Sequence, residues 1–292
     1  MFKGIVKPKE QLNISRTKLV YKPMTATVTE PSVAHVLEEA LETAEDGLFV
    51  VAPDAETIEG LVEVLAADSP SVRLLAEPAA LKDVMADFLL GSRAANHVES
   101  GTLEIKTYDE GTNALLITDA SVVAVVRAAD RVAGLTTDDE AFIGSANDRF
   151  REIWNTAEPY HLRTPSLDRV RETLRAELGD ATVDDFDAML SSLDTARGDG
   201  QDLDEVTISL LVAAKNEDLL YDISKWGENV GIASKATFSR TKTRLEEDGL
   251  IETEKVPIDV GRPRLRLKLA DERLLEASES ELAGVARSML AA

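Results

Sequence analysis

Cysteine is absent from the 292 residues, and histidine and aromatic residues are scarce. Without thiols the chain has no disulfide, no thiolate nucleophile and no Cys-ligated zinc site. Its three histidines are widely separated and form no metal-binding pattern. No apolar run reaches about 18 residues, so we expect no transmembrane helix, and the N-terminus lacks the apolar core of a signal peptide. These absences predict a cytoplasmic protein without a metal ion or a cofactor.

Basic residues, and lysine above all, are also in short supply. The chain has 54 acidic and 32 basic residues, a formal net charge of -22, and only 13 lysines against 19 arginines. A large net charge keeps a protein soluble when salt screens each charge within about 3 Å at 1 M. The composition is therefore typical of a cytoplasmic protein of a salt-accumulating haloarchaeon, the alternative being an ordinary acidic protein of a mesophile.

The first 23 residues depart from this composition, with six basic groups and one acid for a net charge of +5. From Met24 onward the composition becomes acidic. One interpretation is a basic arm that touches an anion such as DNA. The other, which we favour, is an upstream start-site artefact with Met24 as the true initiator. In either case we expect residues 1–23 to be poorly ordered.

Residues 24–160 alternate between short apolar runs and helical patterns. The segment "GLFVVAPD" predicts a buried strand followed by a helix capped at Asp54. Further strands are predicted at "SVRLLAEP" and "TLEIKTY", and two more are joined by a turn at "TDAS". This alternation indicates an α/β domain with a largely parallel sheet. Residues 161–197 form a predicted helical connector, and the Gly- and Asp-rich residues 198–202 a linker.

The α/β domain contains no catalytic motif that we can identify. It has no phosphate-binding Gly-rich loop of the Walker type, no G-x-S-x-G elbow and no H-E-x-x-H. We therefore predict a ligand-sensing and dimerisation module rather than an enzyme, with a ligand crevice at strand ends near Asp54 and Glu77. Three arginines of this domain could bind a phosphorylated metabolite, or could instead be ordinary ion-pair partners: Arg93, Arg127 and Arg131.

Residues 198–292 have the element order of a winged helix-turn-helix. Three helices are predicted at "LDEVTISLLVAAKNEDLL", "YDISKWGENV" and "SKATFSRTKTRLEEDGL", with a tight turn at Gly231 before the third. Two strands, "IETEKV" and "RLRLKL", flank the loop "PIDVGRP". Helix, helix, turn, helix, strand, loop and strand is the order of the winged fold, and a C-terminal helix follows.

Positive charge is concentrated in the third helix and the wing. Residues 232–268 hold nine basic and six acidic groups, a net charge of +3, whereas the chain outside this stretch and the first 23 residues carries -30. A cationic island suits an anionic partner such as double-stranded DNA. The alternative is that these charges solvate a surface helix and the winged fold mediates protein contacts. The candidate DNA contacts are Ser234, Lys235, Thr237, Ser239, Arg240, Lys242, Arg244, Arg262 and Arg264.

Residues 198–269 closely resemble the C-terminal domain of the haloarchaeal TbsP-type transcriptional regulators. The segments "LKDVMADFLL", "DRVAGLTTDDE" and "LRTPSLDRVRETL" are similar to the same family. The resemblance implies a sequence-specific DNA-binding regulator of central carbon metabolism genes, without catalytic residues. We also predict a homodimer, because winged-helix dimers bind two half-sites about one helical turn apart. Alternatives are a protein-interaction adaptor and a ligand-binding, enzyme-like α/β domain that carries a winged-helix module.

Overall fold

A computed structural model describes residues 27–30, 32–110, 113–129, 131–193, 203–258 and 263–291. The predicted N-terminal extension, residues 1–23, and the predicted linker, residues 198–202, lie outside the described residues. The N-terminal part combines strands and helices as expected. Its elements are β1 (Thr27–Glu30), α1 (Val33–Glu42), β2 (Leu48–Val51), α2 (Ala55–Val64), β3 (Val72–Ala76), α3 (Pro78–Val84), α4 (Phe88–Ser100), β4 (Leu103–Thr107), β5 (Ala114–Ile117), β6 (Val122–Ala128), β7 (Arg131–Thr137) and α5 (Glu140–Thr156).

The described strands of this part form one seven-stranded mixed sheet in the order β1-β7-β6-β5-β2-β3-β4. Only the β2–β3 and β3–β4 pairs are parallel, so the prediction of a largely parallel sheet is wrong. The reason is local: β5, β6 and β7 follow one another through short turns, and such connections join antiparallel neighbours. The turn at "TDAS" is confirmed, since Ile117 lies opposite Val122. Strands β1 and β7 were not predicted.

Helices cover both faces of the sheet. Along β2, Leu48 and Val50 pack into a core formed with α1, α2, α3 and α4. Phe49 and Val51 alternate to the opposite face and pack with Trp154 of α5. The period of two places successive side chains on opposite faces, and burial on both sides explains why the strand is continuously apolar.

The C-terminal part has the predicted winged helix-turn-helix order. The ranges of the two wing strands are those predicted, and they pair antiparallel. The elements are α6 (Leu167–Leu178), α7 (Asp180–Ser191), α8 (Glu205–Lys215), α9 (Leu220–Val230), α10 (Lys235–Glu247), β8 (Ile251–Val256), β9 (Arg264–Leu269), α11 (Glu272–Glu276) and α12 (Leu282–Leu290).

The connector helices α6 and α7 share one hydrophobic core with the helix-turn-helix. Val170 and Phe186 are buried there together with Trp226, whose Nε1 donates to Thr173 Oγ1 at 3.0 Å. Helix α8 is buried at every position from 206 to 214. It is enclosed because α7, α9, α10 and β9 all pack against it.

Two kinds of feature are missing from the part of the chain that the structure describes. None of its helices is long and apolar enough to cross a membrane. Nor does any group of three or more His, Asp or Glu side chains lie close enough together there to hold a metal ion.

Candidate nucleic-acid interface

The turn between α9 and α10 is built by local sequence. Gly231 adopts φ +96°, which favours glycine because a Cβ is strained there. The Ile232 N–H donates to Gly227 O at 2.9 Å and closes the end of α9. Ser234 then caps α10 by accepting from the Thr237 N–H at 3.2 Å. The predicted turn at Gly231 is confirmed.

A glycine sets the distance between α9 and α10. A Cβ built on Gly227 would lie 2.3 Å from both Cε2 and Cζ of Phe238, far inside contact distance. The Phe238 ring is fully buried and therefore has little room to move. The absence of a side chain at position 227 allows α10 to lie directly against α9, which fixes the orientation of the face that α10 turns to solvent.

Helix α10 has one buried and one exposed face. Phe238 and Leu245 are fully buried, while the hydroxyl and basic side chains of its N-terminal half lie on the surface. Among the predicted contacts, Thr237 is half-buried, and the exposed ones in this half are Ser234, Lys235, Ser239 and Arg240. The acidic residues Glu246, Glu247 and Asp248 lie at the other end of the helix. An exposed row of donors on half a helix has the size and polarity needed to enter a major groove.

Two predicted contacts, Lys242 and Arg244, are engaged within the protein. Lys242 is mostly buried, and its Nζ lies 2.6 Å from Glu246 Oε2, which belongs to the same helix. The other oxygen of Glu246 accepts from Thr253 of β8. Arg244 donates through Nη2 to Thr207 Oγ1 of α8 at 3.1 Å. Lys242 is thus paired within α10, whereas Arg244, although exposed, also links α10 to α8.

The exposed cations of α10 differ in their neighbours. Lys235 Nζ lies 3.0 Å from Glu228 Oε2, and hydrogen bonds from Lys235 lower the pKa of that carboxyl. Arg240 Nη2 lies 3.5 Å from Thr237 Oγ1, and no described carboxylate lies within 4 Å of the guanidinium. Arg240 is therefore available for a new partner, whereas Lys235 has to exchange one carboxylate for another anion.

The wing places Arg264 beside the start of α9. Its guanidinium lies 4.4 Å from the centre of the Tyr221 ring, and its Nη1 is 3.3 Å from Asp222 Oδ1. Tyr221 is 47% exposed and was not predicted from the sequence, although an exposed aromatic residue is unusual in a chain with 4% aromatics. A groove of about 490 Å³ runs between this corner and Lys235 and Ser239 of α10. Arg262 lies outside the described residues.

Two family models together match most of the chain. The model described as "Transcriptional regulator TbsP-like, N-terminal" matches residues 25–165. The model described as "Transcriptional regulator TbsP-like, C-terminal HTH domain" matches residues 166–287. The chain belongs to the TbsP-like transcriptional regulators. The resemblance inferred from the sequence is confirmed, and so is the fold class of an α/β part, connector helices and a C-terminal helix-turn-helix.

The comparison with solved structures includes an archaeal chromatin protein, TrmBL2, described as showing a novel mode of DNA binding. It is 18% identical, with a TM-score of 0.36. The match covers 46% of this TbsP-like chain and 54% of TrmBL2, so the chain spans about half the length of that structure. No curated protein matches the sequence.

The arginines predicted to bind a ligand do not lie together in this TbsP-like chain. Arg93 is exposed on α4, which packs on β4, and three strands separate β4 from β6. Arg131 is exposed on β7, and its register opposite Ala128 places it on the other face of the sheet from Arg127. Arg127 Nε lies 2.6 Å from Asp54 Oδ2, and its Nη1 lies 2.8 Å from a second carboxylate on α2.

The Arg127–Asp54 pair serves the structure of α2. Asp54 also accepts from the Thr57 N–H at 2.9 Å, which confirms the predicted helix cap. Burial tends to raise the pKa of Asp54, but the hydrogen bonds from Thr57 and Arg127 outweigh it and lower the pKa. The Arg127 guanidinium is thus already neutralised by described carboxylates, and an anionic ligand would have to compete with both of them.

Proposed function

We propose that this regulator binds duplex DNA by placing the N-terminal half of α10 in the major groove. The observation that carries the proposal is the exposure of Ser234, Lys235, Ser239 and Arg240 on a helix that the buried Phe238 anchors to the core. Arginine can donate two hydrogen bonds to guanine O6 and N7, and serine reaches bases or phosphates. Arg240 is the leading base contact because no described carboxylate occupies it.

The wing supplies the second contact in this proposal. Arg264 lies beside Tyr221 and borders the groove that separates β9 from α10. A cation on this corner is suited to a phosphate of the DNA backbone next to the major groove. Such a contact adds affinity for any sequence and makes binding salt-dependent.

Selection from random duplexes, followed by fluorescence anisotropy on the selected and a scrambled duplex, tests the proposal. Arg240→Ala should weaken binding to the selected duplex by about 1–3 kcal/mol and relax the preference at one position. Arg264→Ala should weaken both duplexes alike and reduce the salt slope by about one. Arg151→Ala, an exposed arginine of α5, is the matched control for the loss of one charge. Wild-type affinity in Arg240→Ala would overturn the assignment.

The predicted homodimer belongs to the same proposal. Two copies would bind two half-sites, so the selected sequences should contain inverted repeats with centres about 10–10.5 base pairs apart. Sedimentation of the protein with and without such a duplex measures the stoichiometry. One chain per duplex and a lack of symmetry in the selected sites would argue for a monomer.

The proposed targets are central carbon metabolism genes of a halophilic archaeon, and the support is the sequence resemblance together with the acidic composition. Chromatin immunoprecipitation with sequencing, with and without a sugar in the growth medium, tests this part. Binding sites without enrichment near such genes would contradict it.

A further inference from the structure

A cavity lies between the sheet and α5, at the carboxyl ends of β2 and β4. Its volume is about 380 Å³, within the range of small-molecule pockets. Val51 and Tyr108 line it at the strand ends, as expected for a ligand crevice in an α/β sheet. One face of α5 forms the opposite wall through Phe142, Ser145 and Arg149.

The walls of the cavity are aromatic and held in place. Phe150 is buried and forms a T-shaped pair with Tyr108, with ring centres 6.3 Å apart and an interplanar angle of 86°. The Tyr108 N–H donates to Ala76 O at 2.8 Å, which fixes this residue at the end of β3. Phe142, also on the lining, is 55% exposed. Flat rings on fixed backbone favour a ligand with a flat apolar body.

Arg149 is the cation of this cavity. Its guanidinium carbon lies 5.9 Å from the centre of the Phe150 ring, and no described carboxylate lies within 4 Å of its nitrogens. Glu110 also lines the cavity, in an exposed position, without forming such a pair. Arg127, held by two carboxylates, shows the alternative arrangement, in which the guanidinium is already neutralised within the protein.

We infer that this cavity binds a small aromatic carboxylic acid, with the ring between the aromatic walls and the carboxylate on Arg149. Guanidinium and carboxylate match in a planar, two-bond geometry. A sugar phosphate fits less well, because its hydroxyls would lose water without gaining partners on a mostly apolar lining. This site is independent of the DNA-binding proposal. Its ligand-binding cation is Arg149 rather than the three arginines predicted from the sequence.

Calorimetric titration of the full chain with 2-naphthoate and 2-naphthamide tests the inference, because the two probes share a ring system and differ in charge. Naphthoate should bind at least about tenfold tighter than naphthamide. Arg149→Met should weaken naphthoate about tenfold and leave naphthamide unchanged. Arg151→Met, on the same helix but off the cavity lining, should bind both probes like the wild type.

A second variant tests the location. Ser145→Trp places a large side chain into the cavity from an exposed helix position and should abolish binding of both probes. Its melting temperature, compared with the wild type, shows that the chain is folded. The inference is overturned if the wild type binds neither probe at about 1 mM, if Arg151→Met weakens naphthoate as much as Arg149→Met, or if a folded Ser145→Trp still binds.

Discussion

The close contact between α9 and α10 makes a quantitative prediction for Gly227→Ala. The new Cβ would lie 2.3 Å from two ring atoms of Phe238, whereas ordinary contacts begin near 3.4 Å, so the buried ring has to move by about 1 Å. Overpacking of this kind costs about 1–3 kcal/mol, and alanine regains about 1 kcal/mol of helix propensity. Because two atoms clash in a fully buried site, we expect a net loss of about 1–2 kcal/mol in the free energy of unfolding.

Urea unfolding followed by the fluorescence of Trp226 measures this loss. Trp226 is 1% exposed and lies in the same core, and a Trp154→Phe background removes the signal of the N-terminal part. Gly144→Ala is the matched control, because it lies within α5 and a Cβ there has no neighbour within 4 Å. Because this control lies in the N-terminal part, its unfolding is followed by Trp154 in the chain that retains this residue, and it should be stabilised by about 0.5–1 kcal/mol, with an unchanged slope against urea.

A second substitution identifies the clash as the cause. Phe238→Leu removes the two ring atoms that the new Cβ would meet, so the double variant should lose less stability than the sum of the two single variants. DNA binding by Gly227→Ala should also weaken, since α10 is displaced from α9. If Gly227→Ala is stabilised like the Gly144→Ala control, Phe238 does not limit the approach of the helices and our reasoning is refuted.

Three further predictions concern charged side chains. Glu228→Gln removes the carboxylate beside Lys235 and should strengthen DNA binding in anisotropy titrations. Unchanged or weaker binding would show that Glu228 does not compete with phosphate for Lys235. Burial raises the pKa of Asp218 from 3.8 to about 6, so the folded state binds the proton more tightly and stability falls as the pH rises through about 6. Asp218→Asn should therefore raise the free energy of unfolding by about 1–2 kcal/mol at pH 7, after allowance for partial exposure, and this gain should disappear below about pH 4. A gain in stability that is independent of pH would contradict burial of the charged carboxylate as its cause. Asp54→Ala removes the cap of α2 and should lower the free energy of unfolding by about 1–2 kcal/mol, measured by the fluorescence of Trp154. A variant as stable as the wild type would exclude a role for the cap in stability.

Local signals in the sequence were sufficient to predict where several helices begin or end. Asp54 and Ser234 cap helices because a short polar side chain precedes an apolar helical pattern, and Gly231 adopts the positive φ expected of it. The direction of the strands was harder to predict. The turn at "TDAS" indicated a hairpin after β5, but β7 was not predicted, and the alternation of strands and helices earlier in the chain suggested a largely parallel sheet.

Most ion-pair partners of the basic residues could not be predicted from the sequence. The Lys242–Glu246 pair is an exception, since a spacing of four residues on one helix is a recognisable signal. Asp222, by contrast, reaches Arg264 across 42 positions, and only the packing of β9 against α9 brings them together. The cavity cation Arg149 was missed for the same reason, because its surroundings come from separate strands.

The shared interior of α6, α7 and the helix-turn-helix has a consequence for truncation. A fragment that begins at residue 203 would leave α8, which is enclosed on all sides in the full chain, open to water along α7. The same fragment would leave the Trp226 indole without Thr173 as its acceptor. We expect such a fragment to be molten or aggregated and the smallest autonomously folding piece to start near residue 166. These two helices are therefore part of the C-terminal core rather than a spacer.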